Sequence, residues 1–230
     1  MFNNVMFKDV RAVIFDFDGV IVDSIDSSVL AFHDYFLRGW ITQEFKTKKE
    51  FLGFFNKDKA FTEALNKIVT SKENKKKLQD HYGNQNSYYI QSSLMEDSRM
   101  ILDYLMNHSC SLGIVSSNLR SNIESILNKE NIKQYFRFVI SGDTNLQEKI
   151  VSEKPSPEGI LYGLNIISVK PENAIFVGDT GTDILAGKNA NIGLVVAKAS
   201  DESDYNYLSN FNPPPDKVIR NLSELLPLIY

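Results

Sequence analysis

The chain has 230 residues, 43% of them hydrophobic, with 25 Lys and Arg against 29 Asp and Glu for a formal net charge of -4. That length and apolar content suffice for a full core in one larger domain or in a domain carrying an insertion, and the charge balance supplies no basic surface for nucleic acid. One cysteine, Cys110, and three histidines, His33, His81 and His108, exclude an internal disulfide and a zinc cluster and fit a reducing cytoplasm.

The opening segment, Met1 to Arg11, lacks the apolar core of a signal peptide, and no apolar run approaches the roughly 20 residues that span a bilayer. A soluble, cytoplasmic protein without a membrane partner is expected. The first predicted element is the strand Ala12-Val13-Ile14-Phe15, which runs straight into Asp16-Phe17-Asp18-Gly19-Val20. Two carboxylates one residue apart repel unless a cation lies between them or one is protonated, which points to a metal site or to acid/base chemistry. Taken alone, the same residues also suit a turn in which Gly19 supplies a positive φ.

Apolar spacing predicts a helix over Ile25 to Leu37, with Ser24 or Asp26 as its cap. From there to about Ser93 the composition shifts to phenylalanines among lysines, with helical periodicity at Phe61 to Val69 and Lys72 to Tyr82 and no convincing strand. Lys72, Lys75, Lys76 and Lys77 read as a solvated helix face. Residues 24–93 are therefore expected to form an inserted helical unit, with 1–23 and 94–230 forming the core. After Met95 helices and strands alternate: a helix from Ser98 to His108, a strand at Ser111 to Ser117, a helix from Ser121 to Lys129 and a strand at Phe138 to Ile140. Ser156-Pro157-Glu158 then opens a helix with serine as cap and proline at the first position. A strand at Ala174 to Val177 ends in Gly178-Asp179. A helix from Thr182 to Asn189, a strand at Gly193 to Ala197, the loop Pro213-Pro214-Pro215 and a closing helix from Val218 to Leu226 complete the chain. Such alternation argues for an α/β fold, a parallel sheet with helices on both faces.

In such sheets ligands bind beyond the carboxyl ends of the strands. Four strand ends or following loops carry polar groups there: Asp16 with Asp18, Ser116, Lys154 before Pro155, and Asp179 with Asp183. Each has a structural explanation alone, as a turn hydroxyl, an exposed lysine or acids favoured at a helix N-terminus. Their coincidence in one crevice is the feature that needs a function.

Asp16-Phe17-Asp18-Gly19-Val20, Ile114-Val115-Ser116-Ser117-Asn118, Lys154-Pro155 and Gly178-Asp179-Thr180-Gly181-Thr182-Asp183 resemble the four ordered motifs of the haloacid dehalogenase superfamily. The match is closest to its phosphoglycolate phosphatase-like and β-phosphoglucomutase-like branch, which places a helical cap directly after the first motif. The resemblance implies a Rossmann-like core with a mobile cap, and Asp18, absent from the dehalogenases, points to phosphate chemistry. It assigns Asp16 as the nucleophile, forming an aspartyl-phosphate that water hydrolyses, and Asp18 as the acid that protonates the leaving oxygen and later takes a proton from water. Ser116, Ser117 and Lys154 are expected to bind the phosphate. Mg²⁺ is expected on Asp16, the Asp18 carbonyl and Asp179, with Asp183 close enough to orient a bound water.

The substrate expected is a small phosphorylated metabolite, with the protein a monomer or weak homodimer. Leaving-group choice is expected to come from the cap, where Lys57 and Lys59 fall in the stretch from Gly53 to Lys59, and from Asn118 beyond the hydroxyl motif. Arg120 has the same opportunity, though helix capping and exposure also explain it; His33 and Trp40 suit packing better. Three other functions fit the same residues. A sugar-phosphate mutase would pass the aspartyl-phosphate to a sugar hydroxyl. A receiver-like signalling module also combines acids, a hydroxyl and a lysine, although in another order. A catalytically silent binding protein would need a broken motif, and none of the four is broken.

Overall fold

Ala12–Phe15 (β1) is shut off from solvent at every residue because it lies inside a sheet, hydrogen-bonded on both edges. The structure, a computed structural model, describes residues 9–55, 61–84, 88–146 and 149–229. After β1 come β2 (Val22–Asp23), α1 (Ile25–Leu37), α2 (Lys48–Phe54), α3 (Phe61–Asn66), α4 (Lys72–Asn84), β3 (Ser93–Leu94), α5 (Ser98–Asn107), β4 (Ser111–Val115), α6 (Arg120–Lys129) and β5 (Phe136–Ile140). Then follow β6 (Asn145–Leu146), β7 (Lys149–Ile150), α7 (Glu158–Ile166), β8 (Ala174–Gly178), α8 (Gly181–Asn189), β9 (Leu194–Lys198), α9 (Glu202–Ser209), β10 (Lys217–Ile219) and α10 (Leu226–Ile229).

Six strands form one sheet in the order β10-β9-β8-β1-β4-β5, and each neighbouring pair is parallel. Successive side chains of a strand point to opposite faces. Val13 and Phe15 therefore join one apolar cluster with Ile101, Leu105, Ile123 and Leu127 from α5 and α6. Ala12 and Ile14 join the other, with Ile160 and Leu164 of α7 and Ile184 and Ala186 of α8. Each fully buried Ile, Leu or Phe contributes roughly 1.5–3 kcal/mol, so the two clusters fix both faces of the sheet. Its α/β architecture is the one expected.

A third apolar cluster gathers Phe32, Tyr35, Ile41, Phe45, Phe51, Leu65, Ile68 and Leu78, all from the segment between β2 and β3. Phe32 anchors it, with the rings of Phe55 and Phe45 edge-on at 5.1 and 6.0 Å. Both ends of the segment are tied where β2 and β3 pair antiparallel, Val22 opposite Leu94 and Asp23 opposite Ser93.

The structure differs from the sequence reading at several elements. Val218 lies in β10, an edge strand on β9, so the closing helix is replaced by a short strand, a 3-10 turn at Leu222–Leu225 and α10. α2, α9 and the β6–β7 pair were not anticipated, and Ser93 belongs to a two-residue strand. Pro157 occupies the cap position of α7, while the Ser156 hydroxyl accepts from Glu158 N at 3.3 Å. Ser24 caps α1 by position without a side-chain hydrogen bond. Among the described residues no helix is long and apolar enough to cross a membrane.

Candidate active site

Because β1 ends at Phe15, Asp16 is the first residue beyond the middle of the sheet, and its amide donates to Val177 O at 2.8 Å. The Asp16 carboxylate is only 6% exposed and accepts from Lys154 Nζ at 2.7 Å. Lys154, in the loop before α7, is itself buried, and its Nζ also pairs with Asp183 Oδ1 at 2.5 Å and approaches Val115 O at 3.5 Å. One ammonium thus bridges two buried carboxylates, one just past β1 and one in the first turn of α8. Asp183 is held in turn by a reciprocal cap on α8: its Oδ2 accepts from the amides of Asp179 at 3.2 Å and Thr180 at 3.0 Å, and from the Thr180 hydroxyl. The cap thus occupies Oδ2, and Oδ1 is the oxygen that Asp183 turns toward Lys154.

Asp179 leaves β8 directly against Gly19. The glycine has φ +76, and a Cβ there would stand 2.3 Å from Asp179 Oδ2, so both conformation and space require its missing side chain. Asp18, two residues past the nucleophile candidate, is held on both oxygens. Tyr89 Oη donates to Oδ1 at 2.7 Å, and Asn118 Nδ2 donates to Oδ2 at 2.8 Å. The amide of Asn118 has a fixed orientation, since its Oδ1 accepts from Leu119 N and from Asn122 Nδ2, each at 2.8 Å. Ser116 is buried at the end of β4, where its amide donates to Ile140 O at 2.9 Å and its hydroxyl accepts from Asn118 N at 3.1 Å. Ser117 is exposed beside it.

Burial pushes the Asp16 carboxyl well above the usual carboxylate range; Lys154 pulls it down, and Asp183, Asp179 and Asp18 push it up again. For Lys154 burial acts to lower the ammonium, but Asp16 and Asp183 outweigh it and the net displacement is upward. Carboxylate oxygens of Asp16, Asp179 and Asp183 lie within 4.8 Å of one another. Hard oxygen donors, a surplus of negative charge and a glycine that leaves room for Asp179 together fit a small divalent cation.

Asp16, Asp18, Ser116, Lys154, Asp179 and Asp183 thus stand at one edge of the sheet. Asn118 is there too, with its amide committed to Asp18. Arg120 is turned away: its guanidinium donates to Val139 O at 2.8 Å and lies 3.7 Å from Glu124. Lys57 and Lys59 lie outside the described residues. His33 faces Glu44 at 3.5 Å, and the Trp40 ring stacks on Tyr35 at 5.8 Å. Lys77 pairs with Glu73 at 2.7 Å and Lys75 donates to Asn66 at 2.7 Å, as befits a solvated face.

Two residues at the site were missed. Tyr89 sits 71 positions from the acid it touches, and no local pattern announces such a partner. Lys198, 6% exposed at the end of β9, donates from Nζ to Gly19 O at 3.1 Å. Burial lowers its ammonium, opposed first by Asp179. Its signal was a lysine ending the apolar run Leu194-Val195-Val196-Ala197.

The loop that presents Lys154 has its own tether. Glu158, at the start of α7, pairs with Lys149 at 2.8 Å and accepts from Ser152 N at 2.7 Å, which draws its carboxyl down to about 2. The folded value lies below the unfolded carboxylate value of about 4.3, so the tether is complete above that pH and is lost as pH falls toward the folded value. An NMR titration of the glutamate carboxyls is expected to place Glu158 at about 2; a midpoint at about 4.3 would mean that the tether is absent in solution.

A parallel sheet whose carboxyl edge gathers an Asp-x-Asp, a buried hydroxyl, a lysine bridging two carboxylates and a further aspartate suits a hydrolase of phosphoric monoesters. Residues 13–197 match the family described as haloacid dehalogenase-like hydrolase, and the chain belongs to it. It is 26% identical to the pyrophosphatase PpaX of Oceanobacillus iheyensis, over 96% of this chain and 97% of that one. It is 27% identical to the phosphoglycolate phosphatase of Aquifex aeolicus, over 95% and 96%. The solved structure of a haloacid dehalogenase-like family hydrolase from Streptococcus pneumoniae shares the fold with a TM-score of 0.72 at 21% identity, over 95% of this chain and 97% of that one.

Proposed function

We propose that the protein is a Mg²⁺-dependent phosphatase that hydrolyses a small phosphorylated metabolite through an aspartyl-phosphate on Asp16. The observation that carries this reading is the Asp16–Lys154 contact of 2.7 Å. A carboxylate at the end of the middle strand faces a buried ammonium, where one side chain can attack phosphorus and the other can neutralise the phosphate oxygens.

In the first half-reaction an Asp16 oxygen bonds to phosphorus as the bond to the leaving oxygen breaks, and Asp18 gives that oxygen its proton. In the second half water attacks the aspartyl-phosphate, Asp18 takes the proton of the water, and Asp16 and inorganic phosphate are released. Ser116 donates its hydroxyl to the phosphate, with Ser117 beside it, and Lys154 holds the charge between phosphate and nucleophile. Asp16, the Asp18 carbonyl and Asp179 would hold the metal, supported by the charge of Asp183; when bound it supplies positive charge to the phosphate.

Residues 24–93 act as a helical cap over a core made of 1–23 and 94–230, a division supported by the separate apolar cluster of the helical segment and the paired strands at its base. The names of the relatives, phosphoglycolate phosphatase and pyrophosphatase, support a small anionic substrate. The test is phosphate release from 2-phosphoglycolate, pyrophosphate and a panel of sugar and glycerol phosphates, with Mg²⁺ and with a chelator. Release that requires Mg²⁺ is expected; turnover unaffected by the chelator, or none from any compound, would overturn the proposal.

A further inference from the structure

We infer that Tyr89 is a positioning residue for the proton transfer of Asp18, and that through it the acid is mechanically joined to the base of the helical segment. The inference rests on the phosphatase reading. Asp18 takes hydrogen bonds on both oxygens, one from the core through Asn118 and one from Tyr89. Asn118 is fixed by two further donors, so of the two holds on Asp18 it is the Tyr89 bond that can change with the position of another chain segment.

That segment is a joint. Tyr89 opens the 3-10 turn Tyr89–Gln91, immediately before β3. Its ring is 2% exposed and belongs to the apolar cluster between the sheet and helices α5 and α6, whereas the preceding residue, Tyr88, packs against the separate cluster of the helical segment. Consecutive side chains thus engage two different cores. The turn is tied to both sides: Ser92 Oγ donates to Ser27 Oγ of α1 at 2.9 Å, and Lys129 Nζ of α6 donates to the carbonyls of Ile90 and Ser92 at 3.0 and 2.8 Å. A shift of the helical segment has a short covalent path to the phenol that holds Asp18. A carboxylate oxygen keeps a second lone pair beside such a hydrogen bond, so both donors can hold the plane of the Asp18 carboxyl while it faces the leaving oxygen, and Tyr89 is the donor attached to the joint.

Tyr89→Phe removes the hydroxyl and keeps the ring that packs in the core. A positioning role acts through Asp18, so its loss must depend on how much the leaving group needs a proton. For 2-phosphoglycolate, an alkyl phosphate with a basic leaving oxygen, kcat is expected to fall about tenfold with KM held within about twofold. For p-nitrophenyl phosphate, whose leaving group departs with little protonation, the fall in kcat/KM, which reports only the transfer to Asp16, is expected to stay under about twofold. In an Asp18→Asn background, adding Tyr89→Phe is expected to change 2-phosphoglycolate turnover by less than about twofold, because the group it acts through is gone. Equal losses on both substrates, or an undiminished tenfold loss in the Asp18→Asn background, would overturn the inference and leave Tyr89 a packing residue. If Asp18→Asn itself shows no leaving-group dependence, or the wild type releases no phosphate from either compound, the phosphatase reading fails first and takes this inference with it.

Discussion

Asp16→Asn is expected to lower Mg²⁺-dependent phosphate release by about 10⁴-fold or more while the protein still folds, because the amide cannot form the acyl-phosphate bond on which both half-reactions of the proposed mechanism depend. The substitution keeps the size of the side chain and removes a buried charge already crowded by Asp183, Asp179 and Asp18. Stability is therefore expected to be retained or raised even as activity disappears, the opposite of what a structural aspartate would give. Rate and thermal midpoint measured on the same preparations separate the two cases. A variant that keeps turnover within about tenfold would remove Asp16 from the mechanism.

Lys154→Met is expected to fail in both respects. The methionine fills most of the stem volume, but two buried carboxylates, Asp16 and Asp183, then lose the ammonium that stood 2.7 and 2.5 Å from them. Breaking a buried pair by removing one partner costs about 3–5 kcal/mol, mostly from the charge left behind. Activity is expected to fall by about 10²–10³-fold, the scale of losing one preorganised electrostatic contact to a transferring group. Denaturant melts of Lys154→Met and of Lys154→Met with Asp183→Asn test the cause: the second substitution should restore part of the stability and none of the activity. If the double variant is no more stable than the single one, the uncompensated charge on Asp183 is not what destabilises it.

The sheet and the ends of its inner strands were legible because long apolar runs stop abruptly at Asp16, Ser116 and Asp179. A buried strand in a parallel sheet needs no alternation, so the run itself is the signal. β10 was misread because Lys217, Val218 and Ile219 are too few to establish a period, and the leucines that follow pulled the reading toward a helix. β6 and β7, two residues each, fall below any periodicity. At the site, motif order brought forward Asp16, Asp18, Ser116, Lys154, Asp179 and Asp183, each just past a strand, in the loop that follows it or, for Asp183, in the first turn of α8. Tyr89 and Lys198 were hidden for different reasons. A tyrosine in a helical insert reads as packing, and a lysine after a strand reads as exposed; only the fold brings the first to Asp18 and the second to the Gly19 carbonyl.

The placement of β1 has a consequence for how the protein loses its function. Its residues are fully buried and bonded to strands on both sides, so its amides exchange with solvent only when the whole sheet opens. Asp16 is thus anchored to the last part of the molecule to melt. The helical segment, with its own small core, can open at lower cost. Mild heating would therefore first loosen the helical segment, leaving Asp16 in place until the chain unfolds as a whole.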